Sequence, residues 1–374
     1  MEEPQVGHSL SKPKSIVYAS NGYTVHDHRF LKFLIDYNWR VYFLRFDGLE
    51  RQLENRELPV GVSQIDWLGT SCQLVHENSA EFIDAFQSLM DALRPEIILA
   101  GPITSVGFVC SHSQKAPTVL LSWAFDVLIE AKQNRTLHAA AQFALKTSAG
   151  VIFDSSSVAK SGKELGGKPE TFLIVPWGID LVEFSPSKKR NPDGVFRVVS
   201  LRSHEDIYDV KTLLKAADVL VRDYPFFSFS VSIYGSGSSH HDLLELADSL
   251  GLSSCISWND RVKEHEVREV LNSSDLYVST SKSDGSSILM LQALALSQIV
   301  LVADIDSNIE WISDGINGFL FRQSDHLDLA ARIFDISQSS STDEIRKNAP
   351  TKVLELADWR VNQATIDEFL VSFL

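Results

Sequence analysis

A few short stretches of this chain concentrate the residue types that chemistry needs. Ser279 to Glu310 places the carboxylate of Asp284 against Gly285, Ser286 and Ser287, directly ahead of an apolar run that starts at Ile288. Taken alone, Asp284-Gly285 is an acidic turn. Gly235-Ser236-Gly237 follows an apolar run ending at Tyr234. Two glycines there let backbone amides approach a phosphate, and a following helix offers its positive end. Taken alone, such a turn is more often only a tight turn. Asp304-Ile305-Asp306 has the spacing of a metal pair but reads as the loop after a buried strand, so no metal is expected there. Cys72, Cys110 and Cys255 lie far apart, with neither a metal nor a redox spacing. His26 and His28 read as surface histidines before they read as catalysts.

The elements that must position these residues alternate. Ser15 to Ala19 is short, apolar and β-branched, and Ser20-Asn21-Gly22 ends it. A helix over Arg29–Tyr37 and a strand over Arg40–Phe46 complete one βαβ unit. The pattern recurs: helix Phe82–Leu93, strands Glu96–Ala100 and Thr118–Leu121, helix His138–Lys146 and strand Gly150–Asp154. Pro186 to Gly194, charged and Pro-flanked, reads as a linker. The alternation restarts with strand Arg197–Leu201, helix Val210–Val221, strand Phe229–Tyr234 and helix His241–Leu250. Strands at Ser254–Ser257, Leu276–Ser279 and Ile299–Ala303 follow. Apolar strands alternating with amphipathic helices imply parallel sheets covered on both faces. In such sheets ligands bind outside the carboxyl ends of the strands.

The chain has 374 residues, which suits two domains. Lys plus Arg is 34 and Asp plus Glu is 49, a net charge of −15. That balance argues against nucleic acid as a partner. The start, Met1 to Lys14, is polar without an apolar core segment, and no run approaches the ~20 apolar residues of a membrane span. A cytoplasmic protein without a transmembrane segment is expected; peripheral membrane contact stays open.

Ser279 to Glu310, continued through Asp314-Gly315-Ile316-Asn317-Gly318-Phe319, resembles the retaining GT-B glycosyltransferases of the GT4-like group, the glycosyl transferases group 1. Their pattern is an acid, a Gly and, eight positions after the acid, a Glu followed by Ala. Asp284 stands at the acid and Gln292 where the Glu is expected. Val175-Pro-Trp-Gly178-Ile-Asp180 is similar to the family's segment at the domain junction. Arg202 sits where the family has an Arg for the diphosphate; the family's Lys, six residues on, is Tyr208, for which Lys282 or Lys211 could substitute. Trp258-Asn259-Asp260 lies where its base-contacting loop falls. Trp123-Ala-Phe-Asp126 occupies the place of a His-Gly-x-Asp stretch.

The resemblance implies an α/β fold of two doubly wound, Rossmann-like domains facing each other across a cleft. Residues 1–184, completed by a C-terminal helix over 359–374, would bind the acceptor. Residues 185–358 would bind the nucleotide sugar. It implies a retaining, metal-independent transfer from a nucleotide-diphosphate sugar to a carbohydrate-containing acceptor, with no cofactor. Arg202 would clamp phosphate, and Ser286, Ser287 and Ile288 would offer amides beside Gly285, Lys282, Gly235 and Gly237. Gln292 would meet the ribose through its one acceptor oxygen. Asp284 and Glu310 would contact the sugar. Asp126, with Asn21, Gly22, Asp27, Arg29 and Trp123, would line the acceptor side. The departures at Gln292, Tyr208 and Trp123 leave a rival open: a degenerate homologue that binds a sugar nucleotide or a partner without turnover. An epimerase or phosphorylase of the same fold is a third reading.

Overall fold

The computed structural model describes residues 13–186, 193–340 and 342–374. The polar start up to residue 12 and most of the expected linker, residues 187–192, lie outside the described residues. The chain divides into two compact units. One comprises residues up to Phe153 with Ser161–Leu173 and Thr365–Leu374; the other comprises Asp154–Lys160 and Ile174–Ala364.

Among the described residues, the first unit holds a seven-stranded sheet in the order β3-β2-β1-β4-β5-β6-β7. These are β1 Ser15–Ser20, β2 Arg40–Arg45, β3 Ser63–Gln64, β4 Ile97–Gly101, β5 Thr118–Leu121, β6 Gly150–Phe153 and β7 Phe172–Ile174. β1 pairs in parallel with β2 and β4, β4 with β5, and β5 with β6. Alternation along β1 feeds both faces. Val17 and Ala19 pack with Phe82, Phe86 and Met90 of the helix Ser79–Leu93. Tyr18 turns the other way, against Phe30 of the helix Val25–Asp36 and Phe43 of β2. Burial on both faces is why these strands read as unbroken apolar runs.

The second unit's sheet has six strands among the described residues, ordered β10-β9-β8-β11-β12-β13. They are β8 Phe196–Ser200, β9 Phe229–Tyr234, β10 Ile256–Asn259, β11 Leu276–Ser279, β12 Ile299–Ala303 and β13 Phe319–Phe321. Val198, Leu276, Val278, Ile299 and Leu301 pack under the helices Val210–Asp223 and His326–Gln338. Val199, Tyr277, Val300 and Val302 pack under the helix Ile288–Ala295.

The second unit takes Asp154–Lys160 and then the chain from Ile174 to Ala364, whereas the sequence placed the start of that domain at 185. Ile179 N donates to Ala357 O at 2.8 Å, Trp359 N donates to Ile179 O at 3.0 Å, and Phe184 joins the cluster around Val199 and Leu201. Those contacts, all beyond the strands themselves, commit the segment to the second unit. The closing residues from Thr365 belong to the first unit. There Trp39 Nε1 donates to Asp367 Oδ1 at 2.7 Å, and the Phe369 and Phe373 rings pack so close to Gly150 that a Cβ there would lie 2.8 and 2.7 Å from them. The strand read at Ser254–Ser257 begins instead at Ile256, because Leu252–Ser254 closes a 3-10 turn. No described helix is long and apolar enough to cross a membrane.

Candidate active site

β8 and β11 are neighbours, with Val198 paired to Leu276 and Val199 to Tyr277. The loops beyond their carboxyl ends therefore meet, as parallel pairing requires, and 82 residues of sequence separation disappear. Arg202, 7% exposed, extends into this junction. Its Nη2 donates to Asp284 Oδ2 at 2.6 Å and its Nη1 to Ser287 Oγ at 3.0 Å. The Tyr208 ring centroid lies 4.2 Å from its Cζ. Its Nε is buried without a hydrogen-bond partner. Burial alone would weaken the guanidinium's hold on its proton; the Asp284 carboxylate and the phenols of Tyr208 and Tyr277 outweigh burial and keep it charged.

Gln292 lies in the helix Ile288–Ala295 and is also 7% exposed. Its Oε1 is buried and accepts no hydrogen bond. An orphaned amide oxygen of this kind costs roughly 1–3 kcal/mol until a donor reaches it. Ser286 is committed otherwise: its N donates to Asp154 Oδ2 at 2.8 Å and its Oγ to Asp154 O at 2.7 Å. Its amide, expected at the diphosphate, is thus already taken. Gly285 is needed because a Cβ there would stand 2.0 Å from Asp154 Oδ2. Glu310, expected at the sugar, receives the amides of Ser157 at 2.7 Å and Ser156 at 3.0 Å. Both of its oxygens thereby serve a helix start. Lys282 Nζ reaches the exposed Asp206 at 3.1 Å, where Lys211 also arrives at 3.2 Å.

Gly235 and Gly237 adopt φ values of 149° and 157°. A Cβ at either would stand 2.5 Å from a carbonyl oxygen, Arg202 O or His204 O. The Ser238 amide donates to Glu205 Oε1 and the Ser239 amide to His204 O. The glycines thus let this turn pack on the loop after Arg202, and two of its following amides are internally used. His204 stacks on His240 with 2.7 Å between their Nδ1 atoms, and both rings meet Trp258 edge-on. Burial, then the neighbouring His240, hold the His204 imidazole below its usual pKa. Nothing in the spacing of the sequence signals this trio.

In the first unit, two carboxylates expected to line the acceptor side are structural. Asp27, 1% exposed, accepts from Thr24 N and Thr24 Oγ1 at 2.7 and 2.6 Å and from Tyr18 OH at 2.9 Å. It closes a capping box on the helix Val25–Asp36, which explains why that helix starts before Arg29. The Thr24-x-x-Asp27 spacing was the available signal. Asp126 is fully buried and accepts from Ile103 N, Ser122 Oγ and Val127 N at 2.8, 2.8 and 3.0 Å. Burial pushes its carboxyl up to about 6. Trp123 is half-buried, 5.5 Å from the His26 ring and edge-on to Phe30. Gly101 leaves space for its indole, whose Nε1 would stand 3.0 Å from a Cβ there. Gly22, at φ 136°, closes on Arg51 O, and Asn21 Oδ1 is buried without a partner. Arg29 lies on the helix Val25–Asp36. Among the described residues no three His, Cys, Asp or Glu side chains are grouped to hold a metal.

Residues 182–352 match the family model described as glycosyl transferases group 1. Over this segment, less than half of the chain, the sequence is similar to the group 1 glycosyltransferases. A D-inositol 3-phosphate glycosyltransferase of Paenarthrobacter aurescens is 26% identical over 178 residues, 44% of this chain and 44% of that protein. The match therefore spans less than half of that relative's length. Among solved structures, Anabaena HepE in complex with UDP superposes with a TM-score of 0.74 at 17% identity, over 96% of this chain and all of that one. Sucrose-phosphate synthase from Thermosynechococcus elongatus gives 0.79 at 13% identity, over 95% and 98%. These likenesses show the fold, which is GT-B.

The group 1 segment contains Arg202, Asp284, Ser287 and Gln292, whereas the first unit's candidates lie outside it. Its Asn317-Gly318-Phe319 stretch is architectural. Asn317 accepts from Ser313 N at 2.8 Å and donates to Trp311 O at 2.9 Å, and Gly318 passes within 2.7 Å, measured from a Cβ, of Val300. The matched segment thus holds residues of two kinds, some shaping the loop before β13 and some meeting at Arg202.

Proposed function

We propose that this chain is a glycosyltransferase that moves a sugar from a nucleoside-diphosphate donor, held by the second unit, to a carbohydrate-containing acceptor, with retention and without a metal. The observation that carries the reading is the junction of Arg202, Asp284 and Ser287 with two buried, unsatisfied polar atoms, Arg202 Nε and Gln292 Oε1. A phosphate oxygen suits the first and a ribose hydroxyl the second. Arg202 offsets the charge that develops on the leaving diphosphate. Asp284 accepts from the sugar, and the leaving phosphate takes the acceptor's proton, so no histidine is needed at Trp123. On the acceptor side, Asn21, Trp123 and Arg29 remain candidates; Asp27 and Asp126 do not. UDP is the first nucleotide to try, since HepE was solved with it.

The degenerate-homologue reading draws on Glu310, whose carboxylate is spent on the amides of Ser156 and Ser157. A thermal-shift panel of UDP-, GDP- and ADP-sugars, followed by donor hydrolysis, separates the two. A ligand at 100 times its dissociation constant adds about 2.7 kcal/mol. Stabilisation with hydrolysis supports the enzyme. Stabilisation without turnover on any donor, with or without glycan acceptors, moves the binding protein ahead. No stabilisation by any nucleotide sugar defeats the enzyme and the nucleotide-sugar-binding protein alike, and leaves the homologue that binds a partner.

A further inference from the structure

The Arg202 guanidinium has two of its three nitrogens engaged, Nη2 by Asp284 and Nη1 by Ser287, and one face covered by Tyr208. Nε is the guanidinium nitrogen left buried without any hydrogen-bond partner. The turn that carries Tyr208, Asp206–Tyr208, is itself fastened to the loop leading to Asp284. Thr280 Oγ1 donates to Tyr208 O at 2.8 Å, Lys282 N to Ile207 O at 2.8 Å, and Lys282 Nζ to Asp206 at 3.1 Å. Gln323 Nε2 in turn holds Lys282 O at 2.7 Å. On the far side Asp209, with φ at 48°, accepts from Thr212 Oγ1 and Ser324 Oγ at 2.8 and 2.7 Å. The ring is therefore delivered to the guanidinium by a backbone with little freedom.

We propose that Tyr208 is a positioning residue: its ring face fixes the Arg202 guanidinium so that a diphosphate oxygen is met edge-on, through Nε–H. The inference rests on the glycosyltransferase reading for the identity of the anion, but not for the stacking itself. An aromatic face holds a cation by its quadrupole, and the hold strengthens when water is excluded. Arg202 is nine-tenths buried, so the ring can restrict rotation about the terminal torsions without neutralising any charge. A lysine at this position would add a second cation; the tyrosine instead makes the one cation rigid.

Two measurements on the full chain test this. In the unliganded protein, nuclear magnetic resonance should show the Arg202 Nε–Hε signal moved upfield by the ring current of Tyr208. The displacement should persist in Tyr208→Phe and vanish in Tyr208→Ala. UDP should then shift the same signal, and calorimetry should find Tyr208→Ala about fivefold to tenfold weaker for UDP and Tyr208→Phe within about twofold of the wild type. Circular dichroism of Tyr208→Ala should match the wild type, so that the loss is not unfolding. An unperturbed Nε–Hε signal in the wild type, or equal UDP affinity in Tyr208→Ala, overturns the positioning role. A ring-current shift that UDP, GDP and ADP all leave unmoved keeps the stacking but sinks the diphosphate reading on which the proposed function stands.

Discussion

Arg202 and Asp284 are the residues on which the donor site turns, and their pairing sets what each substitution should do. Arg202→Ala removes a charge-assisted phosphate contact of ~1.5–3 kcal/mol, so UDP affinity by calorimetry should fall about tenfold or more. An unchanged affinity would remove Arg202 from the site. Asp284→Asn keeps a polar group beside the guanidinium, which Ser287 and Tyr208 still hold. Donor affinity should stay within a few-fold while turnover drops roughly a hundredfold, the mark of a contact made in the transition state. Equal turnover in wild type and variant would place the active site elsewhere. The pair itself was only half legible: each residue stands in a readable local pattern, but nothing in a sequence separation of 82 says that they touch at 2.6 Å.

At the scale of elements, Asp126 ties the loop after β4 to the loop after β5 through Ile103 N and Ser122 Oγ. Asp126→Ala leaves those donors unsatisfied and should destabilise the fold by about 1–3 kcal/mol. Its pH dependence has a defined sign. Burial raises the folded carboxyl to about 6 from an ordinary 3.8, so the folded state favours the protonated form. The group's contribution is complete below about 4 and declines as pH rises through 6. The difference in melting temperature between wild type and Asp126→Ala should therefore be larger near pH 4.5 than at pH 7; a flat or inverted difference would contradict this account. Sequence reading placed Asp126 and Asp27 at the acceptor because a carboxylate after a strand looks the same whether it caps a helix, braces a loop or meets a ligand. Only burial separates these roles.

Over the whole molecule, two sheets each carry their own apolar clusters, and the chain returns to the first unit at Thr365. Deleting 365–374 removes Asp367 from Trp39 and the Phe369 and Phe373 rings from Gly150. Hydrogen exchange should then rise in β1, β2, β5 and β6 and stay near wild type in β8, β11 and β12; a uniform rise would show that the two units unfold together. The sequence by itself determined the alternation of strands and helices and the parallel, twice-covered sheets, because burial on both faces forces apolar runs that local reading detects. It also determined which loop carries the family pattern, since Asp284, Gly285 and Gln292 are close in the chain. The tertiary structure alone decided that Arg202, Tyr208, Ser287 and Asp284 share one junction, that Ser286 and Glu310 are occupied by the 154–157 segment, and that the second unit takes Asp154–Lys160 and the chain from Ile174 to Ala364. Those outcomes depend on strand order and on which backbone amides lack partners, and neither is a property of neighbouring residues in a sequence.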